Sequence, residues 1–216
     1  MPKSPADVKA IVAALTRAYP QARTALVHRD PLELLVATIL SAQCTDVRVN
    51  EVTKTLFKKY RGPEDYLKVA QDELEADIRP TGFFRTKAKS IRGACDALLR
   101  DFHGKVPATM EELLTLPGVG RKTANCVLGS AYGKAVGVVV DTHVLRLGKL
   151  IGLTRQTDPE KVEQDLMRQI PREAWINFSH MIIDHGRAVC KARRPDCPAC
   201  VIRMWCDHGM KRTPQR

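Results

Sequence analysis

The chain has 216 residues, 44% of them apolar, and carries 35 Lys and Arg against 24 Asp and Glu, a formal net charge of +11. That apolar content excludes a disordered chain and supplies a core for one generous domain or two small ones. So large a positive excess calls for an acidic partner, with a nucleic-acid backbone the default candidate and a merely basic enzyme the plain alternative. The opening Met1-Pro-Lys-Ser-Pro-Ala-Asp7 has no apolar h-region of a secretory signal. The longest apolar run, Leu32 to Ala42, is interrupted by Glu33 and is too short to span a bilayer. A cytoplasmic setting is expected, in which the seven cysteines do not form a disulfide framework.

Val8, Ile11, Val12 and Leu15 recur at helical spacing and predict a first helix ending near Pro20. Asp30-Pro31 opens an apolar helix through Leu40, with Asp30 as N-cap and Pro31 at the first helical position. Ser41 to Asp46 interrupts the pattern, and a helix basic on one side follows from about Val52 to Tyr60. Gly62-Pro63 reads as a turn, Asp72 to Ile78 as a short helix, and Arg79-Pro-Thr-Gly82 as its break. Phe83-Phe84 comes next, then a helix through Ile91, Ala94, Leu98 and Leu99. Two adjacent phenylalanines beside a glycine turn are ordinarily packed core.

Thr109-x-x-Glu112 has capping-box spacing and opens a short helix that Pro117 terminates. Gly118 and Gly120 allow a tight, partly left-handed turn. A helix then starts near Arg121, with Ala124, Val127, Leu128 and Ala131 on its apolar face and Gly133 at its end. The hairpin Gly118-Val119-Gly120 and the helix N-terminus that follows it, with Arg121 and Thr123, can cradle a phosphate on backbone N–H groups. Lys122 lies opposite the apolar face. On this segment alone, a plain helix corner and a non-catalytic DNA-binding hairpin remain open. The run Ala135 to Val140 is too short to assign by period, and Asp141 after it reads as an N-cap. Asp158-Pro159 opens a helix bearing Val162, Leu166 and Ile170, and Trp175, Phe178, Ile182 and Ile183 mark another. Strand-like alternation is almost absent, so the fold class is all-α.

Cys190, Cys197, Cys200 and Cys206 form Cys-x6-Cys-x2-Cys-x5-Cys. Four thiols in so short a stretch are a metal or cluster site, and spacing alone leaves tetrahedral zinc and an iron–sulfur cluster both open. Between the first two lie Lys191, Arg193 and Arg194, either a solvated charged loop or a rigid phosphate clamp tied down at both ends. Cys44, Cys95 and Cys126 stand singly and read as small apolar residues.

The segment Leu116-Pro-Gly-Val-Gly-Arg-Lys-Thr-Ala124, followed by Val140-Asp-Thr-His-Val144 and the four-cysteine loop, resembles the endonuclease III family of helix-hairpin-helix DNA glycosylase/AP lyases. The likeness runs from about Pro31 to Cys206. It implies a two-lobed helical fold with DNA in a cleft between a six-helix lobe, residues 25–135, and an iron–sulfur cluster lobe, residues 1–24 plus 136–216. It also implies Lys122 as nucleophile, Asp141 as catalytic carboxylate, and a [4Fe-4S] cluster on Cys190, Cys197, Cys200 and Cys206. Gly82-Phe83-Phe84-Arg-Thr-Lys-Ala88 matches the family loop that pushes an apolar side chain into the base stack. Gln43 matches the polar residue entering from the other side, since an ejected base leaves a gap to be filled. Phe83 stands where the family often has leucine, and Cys44 where a small residue is common. The implied partner is double-stranded DNA with a damaged base or abasic site, the usual lesions being oxidised or ring-saturated pyrimidines. The implied enzyme is a nucleoid-associated monomer. A non-catalytic DNA-binding protein, and a glycosylase for UV photoproducts or mismatched bases, are the alternatives.

Overall fold

A computed structural model of the chain describes residues 3–211. Among them are twelve α-helices, three short 3-10 turns and no strand. The helices fall into two compact units, one running from Thr24 to Lys134 and the other built from the chain on either side.

The central unit holds α2 (Pro31–Leu40), α3 (Asp46–Lys59), α4 (Pro63–Lys68), α5 (Gln71–Ile78), α6 (Phe84–Phe102), α7 (Met110–Leu113) and α8 (Arg121–Tyr132). Its axis is α2, where Leu34, Leu35, Val36, Ala37, Ile39 and Leu40 are all buried. A helix apolar on every side belongs in the middle, and α3, α6 and α8 pack around it. Burying each leucine or isoleucine there contributes about 1.5–3 kcal/mol. Asp30 Oδ1 accepts the Glu33 N–H at 2.9 Å, so the expected N-cap is present. The buried Glu33 is itself paired, accepting from the Arg29 N–H at 2.7 Å and from Arg29 Nε at 2.8 Å.

Two boundaries differ from the sequence reading. α3 starts at Asp46 rather than near Val52, because the Thr45 hydroxyl caps it by accepting the Arg48 N–H at 3.3 Å. Gly62-Pro63 is not an isolated turn but the N-cap and first residue of α4. Asp65 Oδ2 closes that start by accepting the N–H groups of Arg61 at 2.8 Å and Gly62 at 3.2 Å.

The second unit holds α1 (Pro5–Ala18), α9 (Thr142–Ile151), α10 (Pro159–Gln169), α11 (Trp175–Ala188) and α12 (Asp207–Lys211). Its core joins Val8, Ile11 and Leu15 of α1 to Val144, Leu147 and Ile151 of α9, and to Phe178, Met181 and Ile182 of α11. Val162 and Leu166 of α10 complete it, with Ile202 and Cys206 from the cysteine loop. The run Ala135 to Val140 is neither helix nor strand, and its Val138 is fully buried.

Candidate functional site

The hairpin between α7 and α8 is built as its residues dictate. The Thr109 hydroxyl accepts the Glu112 N–H at 3.3 Å and donates to Glu112 Oε2 at 2.6 Å. Gly118 takes φ +77°, and the Val119 N–H closes the turn on the Leu116 carbonyl at 3.1 Å. Val119 is buried, so it anchors the hairpin with both its N–H and its side chain. Helix α8 begins at Arg121 with Gly120 as N-cap, and its first internal bond runs from the Ala124 N–H to the Gly120 carbonyl at 3.0 Å. Ahead of that bond lie the first-turn N–H groups, aligned with the positive end of the helix dipole. Lys122 is exposed there, opposite the buried Ala124, Val127 and Leu128. Gly133 ends the helix at φ +64°.

Within the same unit, Gln43 and Phe83 flank a pocket of about 270 Å³ that Thr38, Lys87, Gly118 and Thr123 also line. Both flanking residues are left-handed, Gln43 at φ 53° and Phe83 at φ 48°. A third left-handed residue, His103, simply ends α6, an ordinary place for that conformation. Phe83 instead starts a helix, and the residue is 64% exposed. It is therefore not the packed core residue that a pair of phenylalanines suggests. Phe83 thus combines a left-handed backbone with an exposed side chain.

In the second unit Asp141 is the N-cap of α9, half-buried, its Oδ1 accepting the Val144 N–H at 2.8 Å. That bond fixes the carboxylate's direction. Burial holds the His180 imidazole below its ordinary pKa, with Asp184 and Asp141 acting the other way.

Cys190, Cys197, Cys200 and Cys206 line a single cavity whose walls include Leu147, Ile151 and Ile202. Burial pushes the Cys200 thiol up to about 11, and the other three cysteines add to that rise, so the four sulfurs sense one another. Four cysteines lining one cavity, two of them buried and two half-buried, suit a positively charged centre that would balance their thiolate charge. Among the described residues, no three His, Cys, Asp or Glu side chains converge closely enough to share one metal ion. Lys191, Arg193 and Arg194 are exposed on the loop that joins the first two cysteines.

Residues 36–172 match the HhH-GPD superfamily of base excision DNA repair proteins. Endonuclease III of Synechocystis sp. is 54% identical over 196 residues, covering 91% of this chain and 90% of that protein. The chain belongs to the endonuclease III family. A solved endonuclease III–DNA non-covalent complex superposes with a TM-score of 0.91 at 46% identity, covering 97% of this chain and 98% of the other. A trapped endonuclease III–DNA covalent intermediate gives the same TM-score of 0.91, identity of 46% and coverage of 97% and 98%. In endonuclease III terms, the central unit of this chain carries the hairpin, Lys122, Gln43 and Phe83, and the other unit carries Asp141 and the cysteine loop.

Two groups around this endonuclease III framework escaped the sequence reading. His185 is buried on α11, with its Nδ1 2.9 Å from the Tyr19 hydroxyl and its Nε2 3.3 Å from Cys200 Sγ. Burial pushes its pKa down to about 4, so the ring is neutral at neutral pH. Arg146 Nη2 donates to the Cys190 carbonyl at 2.6 Å. The signal for His185 was its position in step with Phe178, Met181 and Ile182, a polar ring on an apolar face.

Proposed function

We propose that the chain is a bifunctional DNA glycosylase and AP lyase of base excision repair, removing oxidised or ring-saturated pyrimidines and cutting 3′ to the abasic site. The observation that carries this reading is the exposed Lys122 on the first turn after a glycine hairpin, in a chain 46% identical to an endonuclease III trapped covalently on DNA. Base departure builds positive charge on the sugar, as in glycoside hydrolysis, and Asp141 stabilises it. The Lys122 amine attacks the sugar C1′ and the base leaves. Cleavage of the C1′–O4′ bond then opens the sugar to a Schiff base, with O4′ taking a proton, and loss of the acidified C2′ proton expels the 3′ phosphate by β-elimination. A lysine attacks only as the neutral amine, a small fraction in water, so exclusion of water by bound DNA favours the step. The first-turn N–H groups of α8 and the side chains of Lys191, Arg193 and Arg194 hold phosphates.

Cys190, Cys197, Cys200 and Cys206 hold a [4Fe-4S] cluster on this reading. The four cysteines line one cavity in the spacing and chain position of the family's cysteine loop, which favours the cluster over one tetrahedral zinc. The cluster ties down the loop that carries the three cations and takes no part in bond breaking. On this reading the chain works as a monomer. It works where genomic DNA is, in the cytoplasm with the nucleoid.

The test is borohydride trapping on duplexes carrying thymine glycol or an abasic site, with Lys122→Ala alongside. A covalent adduct on both duplexes that disappears in the variant is the expected result. An adduct on the abasic duplex alone moves the base preference elsewhere. No adduct on either overturns the lyase.

A further inference from the structure

Lys87 is 4% exposed, a buried lysine in the first turn of α6. It occupies an apolar stripe with Ile91, Ala94 and Leu98, where a leucine or methionine would cost nothing in desolvation. The positive end of the α6 dipole disfavours a cation there as well. Burial accordingly lowers its pKa, with the Cys44 thiol acting in the other direction.

What the ammonium holds is specific. Its Nζ donates to the Leu40 carbonyl at 2.8 Å and to the Thr81 carbonyl at 2.7 Å. Leu40 is the last residue of α2, so Lys87 supplies the cation that this helix C-terminus lacks in its own last turn. The chain then runs through Ser41 and Ala42 to the left-handed Gln43. Thr81 ends the 3-10 turn Arg79–Thr81, and the chain then runs through Gly82 to the left-handed Phe83. One ammonium thus grips the last regular carbonyl ahead of each of two strained residues, on segments some forty residues apart in sequence. Bonds from a buried cation to carbonyls are charge-assisted and short, and they resist displacement.

We propose that Lys87 is a positioning residue for base extrusion, fixing Gln43 and Phe83 at a set separation so that both enter the duplex together. The proposal rests on the glycosylase reading for its substrate. Lys87 need not touch DNA. Its effect passes through the two loops, and a rigid pair of wedges loses less freedom on insertion than two loops moving independently.

The experiment compares the wild type with Lys87→Met, which keeps the stripe packed and removes both carbonyl bonds. Single-turnover base removal is measured on a fully paired duplex and on the same lesion inside an unpaired bubble, where no pairing has to be broken. Fluorescence of 2-aminopurine beside the lesion reports unstacking in parallel, without any chemistry. The expected result is a loss of about tenfold to a hundredfold on the paired duplex, a smaller loss on the bubble, and weaker unstacking. Lys87→Met combined with Phe83→Ala should fall no further than the worse single variant, because both act on one wedge. Equal losses on both substrates, or unchanged unstacking, overturn the proposal. Should Lys87→Met not fold, Lys87→Gln retains a shorter donor and is held to the same duplex-selective loss. A wild type that unstacks the duplex yet forms no trapped adduct would sink the lyase reading and leave this proposal standing.

Discussion

Gly118 and Ser90 leave no room for a side chain between them: a Cβ on Gly118 would lie 2.4 Å from Ser90 Cβ and 2.6 Å from its Oγ. One turn further along α6, a Cβ on Gly93 would meet Pro117 at 3.0 Å. The hairpin is therefore seated directly on α6, the helix that begins beside Phe83. Gly118→Ala is expected to cost about 1–2 kcal/mol for the left-handed backbone and a further 1–3 kcal/mol for the overlap. Gly133→Ala is the control, since Gly133 has φ +64° with nothing within 4 Å of its would-be Cβ. Urea denaturation should show the Gly118 variant losing clearly more. Equal losses would mean that the seat on Ser90 is soft.

Asp141 serves as a helix cap and, on the proposed mechanism, as a charge, and two substitutions separate these roles. Asn is a good N-cap, so Asp141→Asn should keep stability while base removal falls. Asp141→Ala should lose base removal and also about 1 kcal/mol of stability. Thermal melts and single-turnover excision read the two effects independently. Excision by Asp141→Asn at the wild-type rate would remove the carboxylate from the chemistry.

The proposed [4Fe-4S] cluster predicts iron rather than zinc. Elemental analysis of protein purified without added metal should return four irons per chain, the content of a [4Fe-4S] cluster. Stripping the iron should lower the melting temperature, because the ligand segment contributes Ile202 and Cys206 to a core that α1, α9 and α11 share. Stoichiometric zinc would overturn the cluster.

Acid should weaken the fold through His180. Burial depresses its folded-state pKa below the ordinary 6.5, despite Asp184 and Asp141 nearby. The unfolded chain then binds the proton first as pH falls. Stability is fully present above 6.5, the ordinary value, and is lost as pH drops from there through the folded-state value. Urea midpoints for the wild type should fall between neutral and mildly acidic pH, and His180→Gln should show a shallower fall. Identical slopes would assign the acid sensitivity elsewhere.

Much of this was written in local sequence. Proline, glycine and capping residues announced α2, α8 and α10, because these signals act over a few residues. The capped start of α3 at Thr45 was hidden, since the polar run from Ser41 to Asp46 resembles a loop until the hydroxyl is seen on the Arg48 N–H. The hairpin ahead of Lys122 and the N-cap at Asp141 were legible because glycine, proline and capping signals act over a few residues. Lys87 was not, since its partners Leu40 and Thr81 are main-chain carbonyls, which every residue possesses. Its one sequence signal was a lysine in step with Ile91, Ala94 and Leu98. His185 hid in the same way, among the apolar residues of α11.

The discontinuous unit sets an order of events during synthesis. Helix α1 leaves the ribosome first, yet its apolar face of Val8, Ile11 and Leu15 fits against α9 and α11, which are made more than a hundred residues later. The central unit, contiguous from Thr24 to Lys134, has all its own packing partners well before then. A nascent chain therefore carries a contiguous middle unit and a leading helix without its packing partners until α11 emerges. A truncation that removed α11 and the cysteine loop would strand the N-terminal helix too, although more than 150 residues separate α1 from α11 in sequence.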